Sequence, residues 1–104
     1  MAPIHSRIFY AKVGTTNELV QLIHDDDSAM ARFGSDINTR ILTDHMTGRS
    51  DRVVMEWEAG DIWSMDAAMN QVMANPEGAD FFVEWMEKLN ALNHYSEGEL
   101  WDVR

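Results

Sequence analysis

The spacing of apolar residues switches between a period of two and one of three to four along the chain, and each switch marks a predicted element. Ile4, Ile8, Phe9, Tyr10 and Val13 share a stretch with only Arg7 and Lys12 as charges, and Gly14-Thr15-Thr16 interrupts it, which predicts a strand from Ile4 to Val13. Leu19, Leu22, Ile23, Met30 and Phe33 then fall on one helical face that Gly34 closes. Thr15 stands three residues before Glu18, the spacing of a reciprocal helix cap. From residue 37 the pattern alternates again, with Ile37, Thr39, Ile41 and Thr43 on one side and Arg40, Leu42, Asp44 and Met46 on the other. Gly48-Arg49-Ser50-Asp51 makes a turn, and Val53, Val54, Met55 and Trp57 return as the second arm of a hairpin. That loop has three or four residues according to register, and register sets the side on which His45 lies.

Two helices follow. Asp61 is a candidate N-cap for a stripe of Ile62, Met65, Ala68, Met69, Val72 and Met73, which Asn75-Pro76 stops. Phe81, Phe82, Trp85, Met86, Leu89 and Leu92 form the next stripe, with Glu84, Glu87, Lys88 and Asn90 turned outward. The chain closes on His94 to Arg104, an aromatic alternating segment that predicts a last strand. A lone strand is marginal, so this one returns to a sheet laid down earlier. The order βαββαβ with right-handed crossovers predicts an α+β, ferredoxin-like fold: a four-stranded antiparallel sheet in the order 4-1-3-2 with its helices on one face. The other face stays partly apolar whichever phase is chosen, because Ile8 and Phe9, Ile41 and Leu42, Val53 and Val54, and Leu100 and Trp101 are adjacent pairs. A second sheet from an identical chain is the expected cover, giving a homodimeric barrel.

Composition narrows the partners. The 104 residues are expected to form a single domain, 1–104, small enough to gain from oligomerisation. Eight Lys and Arg stand against 18 Asp and Glu, a formal net charge of −10 that repels phosphate backbones and anionic membranes, so neither nucleic acid nor membrane is an expected partner. No apolar run is long enough for a bilayer, and the first residues lack the charged and apolar regions of a signal peptide. With no cysteine there is neither disulfide nor thiolate metal site, consistent with a cytoplasmic location.

The pattern Arg40-Ile41-Leu42-Thr43-Asp44, Thr47-Gly48, Val53-Val54-Met55-Glu56, Asn75-Pro76, the helix containing Trp85 and the closing Ser96-Glu97-Gly98-Glu99-Leu100-Trp101-Asp102-Val103 resembles the dimeric α+β barrel superfamily. In texture it is nearest to NIPSNAP-like proteins and more loosely similar to antibiotic-biosynthesis monooxygenase domains. The resemblance implies the barrel fold. For activity it implies only a range: cofactor-free oxygenases, haem-degrading enzymes, lactone isomerases and stress-response proteins share the fold. The haem-degrading members use a histidine with an asparagine and a tryptophan. Asn93-His94, Asn90, Trp85 and Trp57 are present here but do not map residue by residue onto that pattern.

Candidate chemistry is sparse. His5, His24, His45 and His94 lack helical metal-pair spacing, and two strand spacings of about 10 Å separate His5 from His45 in the predicted sheet, so no metal is expected. Asp25-Asp26-Asp27 reads as a solvated face or a re-capped break rather than a cation site, since hard cations need ligands converging from a loop. Asp44, Glu56 and Glu58 offer an acid and base pair, but read rather as strand charges that face solvent or pair with neighbours such as Arg40. No serine elbow, dinucleotide fingerprint or Walker segment occurs, and no cofactor is expected. Met65, Met69, Met73 and Met86 make an adaptable wall on the late helices. Tyr10, His45 and Trp57, facing that wall, complete with Met69 the expected site for a small apolar or aromatic molecule. Two alternatives stand beside binding: a cofactor-free oxygenase with His45 or His94 as base, and a purely structural assembly subunit.

Overall fold

The computed structural model describes residues 3–35, 37–44, 50–58 and 64–104. The elements run β1 (Ile4–Ala11), α1 (Thr16–Arg32), β2 (Thr39–Thr43), β3 (Arg52–Glu58), α2 (Ser64–Met73), α3 (Pro76–Leu92) and β4 (Asn93–Trp101). The four strands form one antiparallel sheet in the order β2-β3-β1-β4, the expected ferredoxin-like arrangement.

Register assigns the two faces. Phe9 pairs with Val53 and Ser96, Arg7 with Met55 and Gly98, and His5 with Trp57 and Leu100. Phe9, Ala11 and Val53 belong to the core with Leu19, Leu22, Ile23, Trp85 and Leu89, so the odd residues of β1 face the helices. The even residues face away, where Ile8 pairs with Val54, which in turn pairs with Leu42. Strand β1 stops at Ala11 rather than Val13. Gly14 takes φ 79°, a conformation that favours glycine, and turns the chain so that Val13 is fully exposed.

The predicted reciprocal cap at Thr15 does not form. Its backbone is not in the extended cap conformation, and Thr15 Oγ1 lies 2.7 Å from the Lys12 carbonyl and 2.9 Å from that of Leu92. The hydroxyl is thereby spent on tying the start of α1 to the end of α3. Nor does the Asp25-Asp26-Asp27 run break α1, which continues through it to Arg32 and ends at Gly34, φ 104°. The side chain of Asn75 caps α3 by accepting from the Glu77 N–H at 2.9 Å, with Pro76 as its first residue. Asp61, the expected cap of α2, lies outside the described residues.

Helices α1 and α3 pack on the sheet; α2 does so less than its methionine stripe suggests. Its buried Ala68 and Val72 join Met30 of α1, with Phe33, Ile37 and Phe82 around them, so α2 rests mainly on α1 and α3. The tight α2–α3 corner requires Gly78, because a Cβ there would collide with the Val72 carbonyl. Helix α2 is thus held off the sheet.

Trp85 joins the two sheet-packed helices. Its indole N–H donates to the Leu22 carbonyl at 2.8 Å in the core, and its ring meets Phe82 edge-on at 6.0 Å. Trp85→Ala should cost about 3 to 5 kcal/mol through the cavity it leaves. Trp85→Phe, which keeps an aromatic body but no donor, should lose only about 0.5–1.5 kcal/mol. Urea denaturation of both variants checks the order; equal losses would show that the hydrogen bond, not packing, dominates.

Candidate functional site

Because α2 stands off the sheet, a cavity of about 390 Å³ lies between them. Phe9, Met55 and Trp57 form its sheet wall, and Thr39 of β2 and Ser96 of β4 reach its margins. Helix α1 contributes Asp26, Asp27 and Met30; α2 contributes Met65, Asp66 and Met69; α3 contributes Phe82, Trp85 and Leu89. Most of this surface is apolar, aromatic or thioether.

Three consecutive aspartates on one helix point in three directions. Asp25 Oδ1 accepts from Gln21 Nε2 at 3.0 Å on the exposed side. Asp27 Oδ1 accepts from Thr39 Oγ1 at 2.7 Å, tying α1 to β2. Asp26, between them, continues the stripe Leu19-Leu22-Ile23 toward Ala29 and Met30 and is only 8% exposed. Its Oδ1 has no hydrogen-bond partner among the described residues. Burial, and secondarily the charge of Asp27, pushes its carboxyl up from 3.8 to about 7. Asp44 shows the opposite case. Arg52 donates to it from the side chain at 2.7 and 3.0 Å and from the backbone at 3.0 Å, which holds its carboxyl below the usual value.

Of the four residues expected at the site, the fold brings Trp57 and Met69 together across the cavity. Tyr10 instead lies on the other face of the sheet, where its ring stacks on that of its pairing partner Tyr95 at 4.4 Å; as an even residue of β1 it points opposite to Phe9. His45 lies outside the described residues. His94 is exposed at the start of β4, beside the register shift between Tyr10 and Ala11, and does not line the cavity. Asp26 is the site residue that sequence reasoning missed. Its signal was the helical spacing, which places it one turn after Leu22 and one before Met30 on the buried stripe.

Three further buried polar atoms lack partners among the described residues: Trp57 Nε1 and His5 Nε2, whose rings stack at 5.3 Å, and Asn93 Oδ1. No group of three or more His, Cys, Asp or Glu is placed to hold a metal ion among the described residues. In the same residues no helix is long and apolar enough to cross a membrane.

The architecture is that of NIPSNAP-like, ferredoxin-like α+β proteins, as comparison with solved structures shows. A NIPSNAP domain protein from Burkholderia xenovorans superposes with TM-score 0.74 at 14% identity, over 98% of this chain and 94% of that one. A NIPSNAP family protein from Agrobacterium tumefaciens gives TM-score 0.75 at 13% identity, over 100% and 94%. SnoaB, a cofactor-independent oxygenase from Streptomyces nogalater and an antibiotic-biosynthesis-monooxygenase-like fold, gives 0.66 at 18% identity, over 100% and 95%. No protein-family model matches the sequence, and no curated protein is similar to it. These likenesses show the fold and leave the chemistry to the cavity.

The raised Asp26 value makes stability depend on pH. Between about pH 4 and 7 the folded chain keeps a proton that the unfolded chain has released, so this stabilisation is complete below the unfolded value of 3.8 and is lost as pH rises through about 7. The slope from this one group is at most about 1.4 kcal/mol per pH unit. Asp26→Asn should flatten that part of the profile and raise stability at pH above 7, as measured by urea melts across the window. A parallel profile in the variant would show that Asp26 titrates normally.

Proposed function

We propose that residues 1–104 form one domain that acts as a cytoplasmic homodimer and holds a small apolar or aromatic molecule between α2 and the sheet. The observation that carries this reading is the cavity of about 390 Å³, within the range of small-molecule sites and walled mainly by adaptable methionines and flat aromatic faces, with acidic and hydroxyl side chains among them. Trp57 and Met69 face the guest from opposite walls, and Asp26 supplies a buried polar group. An interior with such a space argues against a purely structural subunit. The lack of cysteine is in keeping with a reducing compartment.

The second face of the sheet supports the dimer. Leu42, Val54 and Ile8 form an apolar row across three strands, Tyr10 and Tyr95 stack beside it, and Trp101, which pairs with Ile4, is 55% exposed. Leu42, Tyr95 and Trp101 are exposed, whereas Ile8, on a central strand, is buried. The Arg40–Glu56 ion pair on the same face, together with Glu97 and Glu99, would limit the contact to matching rows. Tyr10 belongs to this contact rather than to the guest site. Native mass spectrometry of freshly purified protein tests both parts: the expected species has about twice the 11.9 kDa chain mass and carries a retained small molecule. A guest-free monomer at micromolar concentration contradicts both.

A second reading, cofactor-free oxygenation, is favoured by the Asp26 carboxyl and by the fold shared with SnoaB. With a value of about 7 and a place in the cavity lining, the Asp26 carboxyl would remove a proton from an activated CH₂ of the substrate. The resulting carbanion would reduce dioxygen, converting that CH₂ to a carbonyl with release of one water. Oxygen uptake with a panel of aryl ketones that carry an acidic CH₂, such as 2-tetralone, should then be abolished by Asp26→Asn and retained in His94→Ala. Uptake indifferent to Asp26 removes it as the base.

A further inference from the structure

The charged groups at the cavity indicate which small molecule it would take, an inference that rests on the cavity being a guest site. Among the described residues three carboxyl groups, Asp26, Asp27 and Asp66, contribute to the lining against one guanidinium, that of Arg7. Their circumstances differ. Asp27 already accepts from Thr39, and Asp66 is exposed in the first turn of α2. Arg7 is exposed too, its guanidinium close enough to Gly98 that a Cβ there would come within 3.8 Å. Of these groups, Asp26 alone combines burial with an oxygen that no described residue satisfies. A buried carboxylate without a donor is unfavourable, and a guest that brings both a donor and a positive charge removes that penalty.

The rest of the lining suits the same guest. The rings of Trp57, Trp85, Phe9 and Phe82 and the thioethers of Met30 and Met69 offer polarisable faces, and aromatic faces attract organic cations. We infer that the cavity selects an aromatic or alicyclic amine, whose ammonium hydrogen-bonds Asp26 while its apolar body lies between Trp57 and Met69. A carboxylate guest would meet three like-charged groups. A neutral alcohol would satisfy Oδ1 without compensating its charge.

Selectivity for the amine depends on the ionisation of Asp26. Asp27 from the same helix and Asp66 from α2 oppose that ionisation, and Arg7 from β1 favours it. Thr39 from β2 and Ser96 from β4 add only hydroxyls to the lining; β3 and α3 add only uncharged side chains. An ammonium at Asp26 releases its proton, so uptake strengthens as pH rises toward the point where the carboxyl is already ionised.

Three near-isosteric probes decide the matter by isothermal titration calorimetry on the intact protein: 2-naphthylmethylamine, 2-naphthylmethanol and 2-naphthoate. At about pH 8 the amine should bind at least about tenfold more tightly than the alcohol, with the carboxylate weakest. Asp26→Asn should erase the amine's advantage and leave the alcohol within about threefold of wild type. The advantage should also shrink in wild type at about pH 5.5, where Asp26 holds its proton. Alcohol binding with no preference for the amine, tightest binding of the carboxylate, or a preference that survives in Asp26→Asn overturns the inference while leaving the guest site standing. Binding of none of the three overturns both.

Discussion

The indole N–H of Trp85 and the carbonyl of Leu22, 2.8 Å apart in the core, are the contact from which the helical layer takes its position. Leu22 lies in the middle of α1 and Trp85 in the middle of α3, so one hydrogen bond sets how the two helices lie relative to each other above the sheet. In a low-dielectric interior an unpaired indole donor would be expensive, which gives this alignment an advantage over neighbouring ones. The same ring then serves as a wall of the cavity. Helix α2 follows at the Asn75-Pro76 corner, pressed against α3 through Gly78, and cannot settle onto the sheet.

The cavity is therefore a consequence of helix packing, and Asp26 is what makes it chemically particular. An apolar residue at that position would extend the Leu19-Leu22-Ile23-Ala29-Met30 stripe and stabilise the fold at neutral pH. The carboxyl instead leaves an oxygen unsatisfied and shifts its titration to about 7. Its burial at the edge of a cavity is a local break with the packing rule that holds along the rest of the stripe. Thr39 donates to Asp27, so of the three acids in the run Asp26 alone is buried with an oxygen that no described residue satisfies.

The sheet divides the labour between its faces. Odd residues of β1 build the core and the cavity wall; even ones present Ile8 and Tyr10 to the uncovered side. Because the period is two, a slip of one residue would exchange these sets, placing Tyr10 beside the cavity and Phe9 in solvent. The long ladders of β1 with β3 and β4 hold that register, and the bulge at Tyr10 and Ala11 adjusts β4 only at its first residues.

Strand and helix periods, the Asn75-Pro76 corner and the closing aromatic segment were legible in the chain itself, because each depends on local sterics and on which face is apolar. They determined element order, the α+β class and the strand order β2-β3-β1-β4. That Trp57 and Met69 face each other was also legible, since alternation and helical spacing aim them at the same layer. Tyr10 was not, because Phe9 and Tyr10 are adjacent and equally suited to a buried face; only pairing with Val53 and Tyr95 decides between them. Thr15 looked like a cap until Leu92, 77 residues away in sequence, offered its carbonyl. Asp26 was hidden for a similar reason. Helical spacing put it on the buried stripe, but whether burial would leave its oxygen satisfied depended on what Thr39, α2 and the sheet brought within reach, and that is a property of tertiary distance alone.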